Sequence, residues 1–316
     1  MLNDVLMQVS GLERHYPGGH QIGPIALQLH RGETVGLLGP NGAGKSTTMA
    51  MLCGVLAPSC GQITVAGHDL IDDPIAAKRC IGYLPETPPL HLDLTVDEYL
   101  RYCARLRGTT NKKIGPQLER AKAECDLLSV GGRVIGNLSR GYKQRVGIAQ
   151  AIIHDPQVLI LDEPTNALDP LQIQQIHQLI QQLSTTRTIL LSTHILSEAE
   201  RLCQRAFILH KGQLHPDHPL APSTEASSSE QLLVRFQNAP SVPDIEALAC
   251  CDAVQPVDKK NLLIHTSSPD LAMIALAEIA HSRAWHLQEI GPAKRPLEKR
   301  FMEITQNPNH STGAAR

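Results

Sequence analysis

Aromatic residues are scarce in this chain: three Phe, five Tyr and one Trp among 316 residues. Leucine, isoleucine, valine and alanine must therefore fill the interior of a protein long enough for about two domains. A formal charge of −2 leaves no broad basic surface, so nucleic acid is not an expected partner. No run of about 18 apolar residues is present, and Met1-Leu2-Asn3-Asp4-Val5 lacks the basic segment and apolar core of a secretion signal. A cytoplasmic chain is expected. The eight cysteines, at 53, 60, 80, 103, 125, 203, 250 and 251, include no C-x-x-C pair. They read as reduced, mostly buried small hydrophobes rather than as a zinc ribbon or redox motif. His210, His215 and His218 lack a fourth metal ligand of obvious spacing and are read as bland. There is no internal repeat.

What is present centres on Gly39-Pro40-Asn41-Gly42-Ala43-Gly44-Lys45-Ser46-Thr47, which follows the apolar run Val35 to Leu38 and opens a helical pattern. Glycines let consecutive backbone N–H groups turn inward, and the helix N-terminus adds positive partial charge, so the loop is a cage for polyphosphate. Lys45 is placed to reach the outer phosphates, and the Ser46 hydroxyl to ligate Mg²⁺. A second apolar run, Val158 to Leu161, ends in Asp162 and Glu163. It reads as a central parallel strand with two carboxylates at its ligand-binding end, where a divalent cation offsets their charge. Asp162 is expected to bind that metal, and Glu163 to act as the base that deprotonates the attacking water. The strand Thr188 to Ser192 leads to Thr193-His194, which sets His194 near a γ-phosphate. Tyr16, some twenty residues ahead of the loop, offers a face for a nucleobase or for core packing.

The intervening chain reads as antiparallel strands before residue 30, a mostly helical insert that includes the capping box Thr95-x-x-Glu98, and a helix N-capped by Ser139. Asp169-Pro170 opens a further helix and Ser197-x-x-Glu200 another, and a hairpin follows around Lys211-Gly212. A Pro- and Ser-rich linker is expected over 216–230, and a small domain over 231–305. Its predicted order, βαββαβ, is that of a ferredoxin-like α+β fold. Residues 306–316 read as a disordered tail.

Five segments, Gly39 to Thr47, Leu138-Ser139-Arg140-Gly141-Tyr142, Val158 to Glu163, Ala167-Leu168-Asp169 and Ser192-Thr193-His194, stand in the order and spacing that resemble the ABC transporter ATPases. The resemblance covers about residues 3–215, and the Ser-x-Gly element sets that family apart from other P-loop NTPases. It implies an α/β P-loop NTPase fold, a RecA-like core with an antiparallel β subdomain and a helical insert at about 87–150. It also implies ATP and Mg²⁺ as ligands. A second copy would close Ser139 and Gly141 over the γ-phosphate, and a membrane permease would be driven through a groove near Glu86 to Leu94, holding the chain on the inner face of the membrane. The linker and C-terminal region resemble those of exporter-type members, including drug-resistance and gliding-motility ATPases. A soluble ATPase working on DNA or ribosomes is the alternative, but the long coiled coil or second cassette of those relatives is missing. Three positions depart from the usual pattern: Glu86 where glutamine is common, Arg140 and Tyr142 beside the signature serine and glycine, and Asn166 in place of serine. Glu86 is a candidate for binding metal or water, and it cannot donate as an amide does.

Overall fold

A computed structural model describes residues 5–220, 230–237, 240, 242–246, 251–258, 260–266, 268–283, 285–292 and 296–306. The chain divides into two compact units, Met1–Ala221 and Pro222–Arg316.

In the first unit β1 (Val5–His15) and β2 (Gln21–His30) pair antiparallel, and the alternating burial of β2 fits a sheet with one face on the core. Next, β3 (Thr34–Leu38) leads through the glycine loop into α1 (Lys45–Leu52). The chain then returns to β1 through β4 (Cys60–Val65) and the short β5 (His68–Asp69), giving a sheet in the order β2-β1-β4-β5. A second sheet starts after α2 (Pro74–Arg79) with β6 (Ile81–Leu84). The insert follows as α3 (Val96–Leu106), α4 (Asn111–Glu124) and α5 (Arg140–Ile152), with short 3-10 turns between the last two. Both halves of the Thr95–Glu98 capping box are made. Pro116 lies inside α4, where the carbonyl it leaves unbonded belongs to the exposed residue Lys112.

β7 (Val158–Asp162), α6 (Pro170–Ser184), β8 (Thr188–Thr193), α7 (Leu196–Leu202), β9 (Arg205–His210) and β10 (Gln213–Pro219) complete the unit. The sheet order is β10-β9-β3-β8-β7-β6, parallel except for β10 at its edge. Every residue of β3, β7 and β8 is buried, as a strand covered on both faces requires. This parallel register brings Leu38, Leu84, Asp162 and Thr193 to one edge of the sheet.

Several boundaries differ from the sequence reading. Helix α7 opens at Leu196, not at Ser197: Ile195 is its N-cap residue, without a side-chain cap, and the Thr193 hydroxyl accepts the Ile195 N–H at 3.0 Å in the turn just ahead. Residues 216–219, expected in a linker, belong to β10, since His218 and Pro219 pair with Ala206 and Arg205. Glu230, also expected in the linker, opens a strand and pairs with Thr266, and Gln306, expected in the tail, ends the last helix; the linker residues 221–229 and the tail residues 307–316 lie outside the described residues. Cysteines 53, 103, 125 and 203 are buried, whereas Cys60 is exposed.

The second unit contains β11 (Glu230–Phe236), α8 (Val242–Glu246), β12 (Ala253–Pro256), β13 (Asn261–Thr266), α9 (Pro269–Ser282), β14 (Leu287–Pro292) and α10 (Pro296–Gln306). Its sheet runs β12-β13-β11-β14 with every pairing antiparallel, which is the split βαβ order. Leu232, Val234, Phe236, Ile264 and Leu276 form its core.

A half-buried histidine ties the end of α5 to the central sheet. His154, just past α5, bonds the Ile81 carbonyl through Nε2 at 3.0 Å. Burial, helped by the nearby charge of Arg107, pushes its pKa from 6.5 down to about 4. Because the folded value lies below the unfolded one, the neutral ring contributes full stability above pH 6.5, and that contribution is lost as pH falls towards 4. Denaturant titrations across this window should show a loss of up to about 3 kcal/mol. His154→Gln, which keeps a donor for Ile81, should flatten that slope.

Candidate functional site

The glycine loop takes its shape from two steric demands. Gly44 has φ 105, in the left-handed region, and a Cβ on Gly39 would lie 2.3 Å from the Leu209 carbonyl oxygen. Lys45 is buried, and its ammonium donates to the Gly39 carbonyl at 2.8 Å. The same nitrogen stands 3.1 Å from Glu163 Oε1, and His194 Nδ1 lies 2.8 Å from Glu163 Oε2. Thus the two oxygens of Glu163 are shared between the loop lysine and the histidine at the end of β8. Glu163 itself has φ 47, an uncommon conformation for a residue with a side chain, and its N–H is held by Ser192 Oγ at 2.9 Å.

These groups border a cavity of about 510 Å³. Of the residues singled out in the sequence, Tyr16, Pro40, Asn41, Gly42, Gly44, Lys45, Ser46, Thr47, Glu86, Glu163, Asn166 and His194 line it. Gly39 and Ala43 shape the loop from behind. Asp162 is 1% exposed and lies beneath the cavity floor, where it accepts a 2.6 Å hydrogen bond from Ser192 Oγ. Burial raises the Asp162 carboxyl above its ordinary value; hydrogen bonds from Ser192 and Ser46 oppose this, and the charges of Glu163 and Glu86 add to it. Ser139 and Gly141 do not line the cavity. Ser139 accepts the Tyr142 N–H at 3.5 Å at the start of α5, and Gly141 packs against Gln172.

Four contacts have no signal in the linear sequence. Ser192 bridges Asp162 and Glu163, as described. Gln144 donates to the Pro164 carbonyl at 2.7 Å. Glu198, buried in α7, accepts from Thr165 and Thr193 hydroxyls at 2.7 Å each and faces His177 Nε2 at 3.3 Å. Burial pulls the Glu198 carboxyl upward, but bonds from His177, Thr165 and Thr193 overcome it and hold the group below its ordinary value. Finally, His20 and Ile22 complete the cavity wall beside Tyr16, whose ring meets His20 at 6.0 Å between centroids and Arg14 at 5.4 Å.

Two departures from the family pattern meet in space: Asn166 Nδ2 donates to Glu86 Oε1 at 2.8 Å. The asparagine amide thus donates to one oxygen of the acceptor-only carboxylate at position 86. In a double-mutant cycle on ATPase kcat/KM, Asn166→Ser should cost about 1 kcal/mol, roughly fivefold, and much less in a Glu86→Ala background. Equal costs in both backgrounds would show that the contact is idle.

Comparison with known proteins agrees with this geometry. The ABC transporter family model matches residues 22–166. YhcH, an ABC transporter ATP-binding protein of Bacillus subtilis, is 30% identical over 95% of this chain and 96% of its own. The bacitracin transport ATP-binding protein BcrA of Bacillus licheniformis is 36% identical over 68% of this chain and 70% of its own. A solved ATP-binding subunit of an ABC transporter superposes with a TM-score of 0.61 at 35% identity, covering 68% of this chain and 90% of that one. No helix among the described residues is long and apolar enough to cross a membrane. A phosphate loop with its lysine paired to a strand-end glutamate, set in this sheet and matched along the chain, identifies the protein as a member of the ABC transporter ATP-binding subunits, which bind and hydrolyse ATP.

Proposed function

We propose that this subunit acts at the cytoplasmic face of the membrane as a head-to-tail pair with a second copy, and that it drives a separate permease that exports its cargo. The observation that carries the reading is the split of the site. Lys45, Glu163 and His194 converge on one cavity, while Ser139 and Gly141 stand outside it at the start of a 13-residue helix. A helix N-terminus can complete an anion site that one chain leaves open. Export is supported by similarity to BcrA, whose name records bacitracin transport.

In this reading Tyr16 stacks on adenine, and residues Gly39 to Thr47 wrap the phosphates. Lys45 turns from Glu163 to the outer phosphates, and Glu163, freed on that side and still held by His194, takes the proton of the attacking water. The oxygens of Ser46, Asp162 and Glu86 are hard donors, and a buried carboxyl crowded by two other acids suits a divalent cation, so these residues fit Mg²⁺. When bound, the ion neutralises charge on the phosphates. Glu86 to Leu94 and the insert face the permease.

Gly141→Asp tests the split. A carboxylate at this position should lower kcat by about 100-fold or more while ATP affinity of the isolated chain stays at the wild-type value. Unchanged turnover would remove Gly141 from the site, and co-purification with ribosomes or nucleic acid instead of membranes would favour the other class of ATPase.

A further inference from the structure

The exposed cysteine does not stand alone. Cys60 opens β4 opposite Glu13 of β1, and His15 follows two residues along β1. His15 Nε2 and Glu13 Oε2 are 2.7 Å apart. One ligand atom from each of Glu13, His15 and Cys60 lies within 4.8 Å of the other two. The frame beneath them is fixed: Ser59 N–H donates to the Glu13 carbonyl at 2.7 Å, and Ser59 Oγ accepts the His15 N–H at 3.0 Å. Gln21 Nε2 donates to Glu13 Oε2 at 3.0 Å, an outer partner that orients the carboxylate.

We propose that Glu13, His15 and Cys60 form a Zn²⁺ site, with three protein ligands and a water in the fourth position. One sulfur, one nitrogen and one oxygen donor make a set that zinc accepts in tetrahedral geometry and that Mg²⁺ or Ca²⁺, which take oxygen ligands, does not. The carboxylates of the nucleotide cavity form a different, all-oxygen set. Metal entry exchanges the Cys60 thiol proton for the ion: a sulfur–metal bond forms, the S–H bond breaks, and the proton passes to solvent. In the metal-bound state His15 offers its Nε2 lone pair and carries its proton on Nδ1, so the 2.7 Å hydrogen bond from Nε2 to Glu13 Oε2 is given up. The C-x-x-C rule overlooks such a site because its ligands come from two strands, far apart in sequence and brought together by sheet pairing and the Ser59 hydrogen bonds.

The experiment uses the full chain, reduced, with its nucleotide cavity filled by excess Mg²⁺ and a non-hydrolysable ATP analogue. Titration with Co²⁺ should produce a thiolate-to-cobalt charge-transfer band that saturates at one equivalent per chain and is displaced by Zn²⁺. Cys60→Ser should abolish the band, His15→Ala should weaken binding about tenfold or more, and Cys80→Ser should leave the band intact. All three ligands are on or near the surface, and an unchanged thermal midpoint for each metal-free variant excludes misfolding. Absence of the band in wild type, or a band of equal strength in Cys60→Ser, overturns the proposal.

Discussion

Lys45→Ala is expected to abolish tight ATP binding, weakening it by at least about 100-fold when measured by calorimetry in the presence of Mg²⁺. The lysine is buried, and it is the cation that faces Glu163 and the loop carbonyls at the cavity. Without it, incoming phosphates meet Glu163 and Asp162 with no compensating charge from the loop, a loss of the kind that costs about 3–5 kcal/mol when one partner of a buried pair is removed. The variant also leaves one oxygen of Glu163 without its ion pair, so a lower thermal midpoint of the nucleotide-free protein should accompany the loss. An affinity equal to that of wild type would strip Lys45 of its assigned role.

Glu163→Gln should do the opposite to binding. An amide cannot accept the proton of the attacking water, so turnover should fall by about 100-fold or more. Lys45 loses its charged partner in the empty protein and no longer has to leave an ion pair for the phosphates, so ATP affinity should hold or rise. Trapped ATP should then accumulate as stable dimers, visible by light scattering after gel filtration. A variant that stays monomeric at high ATP concentration would count strongly against the paired assembly.

The parts of this site that the sequence reveals are those coded by local pattern. A glycine-rich loop between an apolar run and a helix has few conformations open to it, and a strand buried on both faces must be apolar until its end, so Lys45 and Asp162 could be placed before any coordinates. What escapes is set by contacts between distant segments. Glu86 and Asn166 look like two independent oddities until the 2.8 Å bond joins them. Cys60, an apolar residue by composition, is exposed, as are Gly61 and Gln62 that follow it at the start of β4. Ser197 carries a capping-box spacing, yet α7 begins one residue earlier, at Leu196, and has no side-chain cap.

Glu198 has a consequence for how the reaction is timed. One carboxylate holds Thr165, two residues after Glu163, and Thr193, one residue before His194, which is bonded to Glu163. The loops leaving β7 and β8 are thereby clamped to a common peg on α7, so a tug on either is felt by its neighbour as a rigid turn rather than absorbed as slack. In the roles proposed for Glu163 and His194, such a peg would couple the two, and Glu198→Gln is expected to lower turnover although Glu198 does not line the cavity.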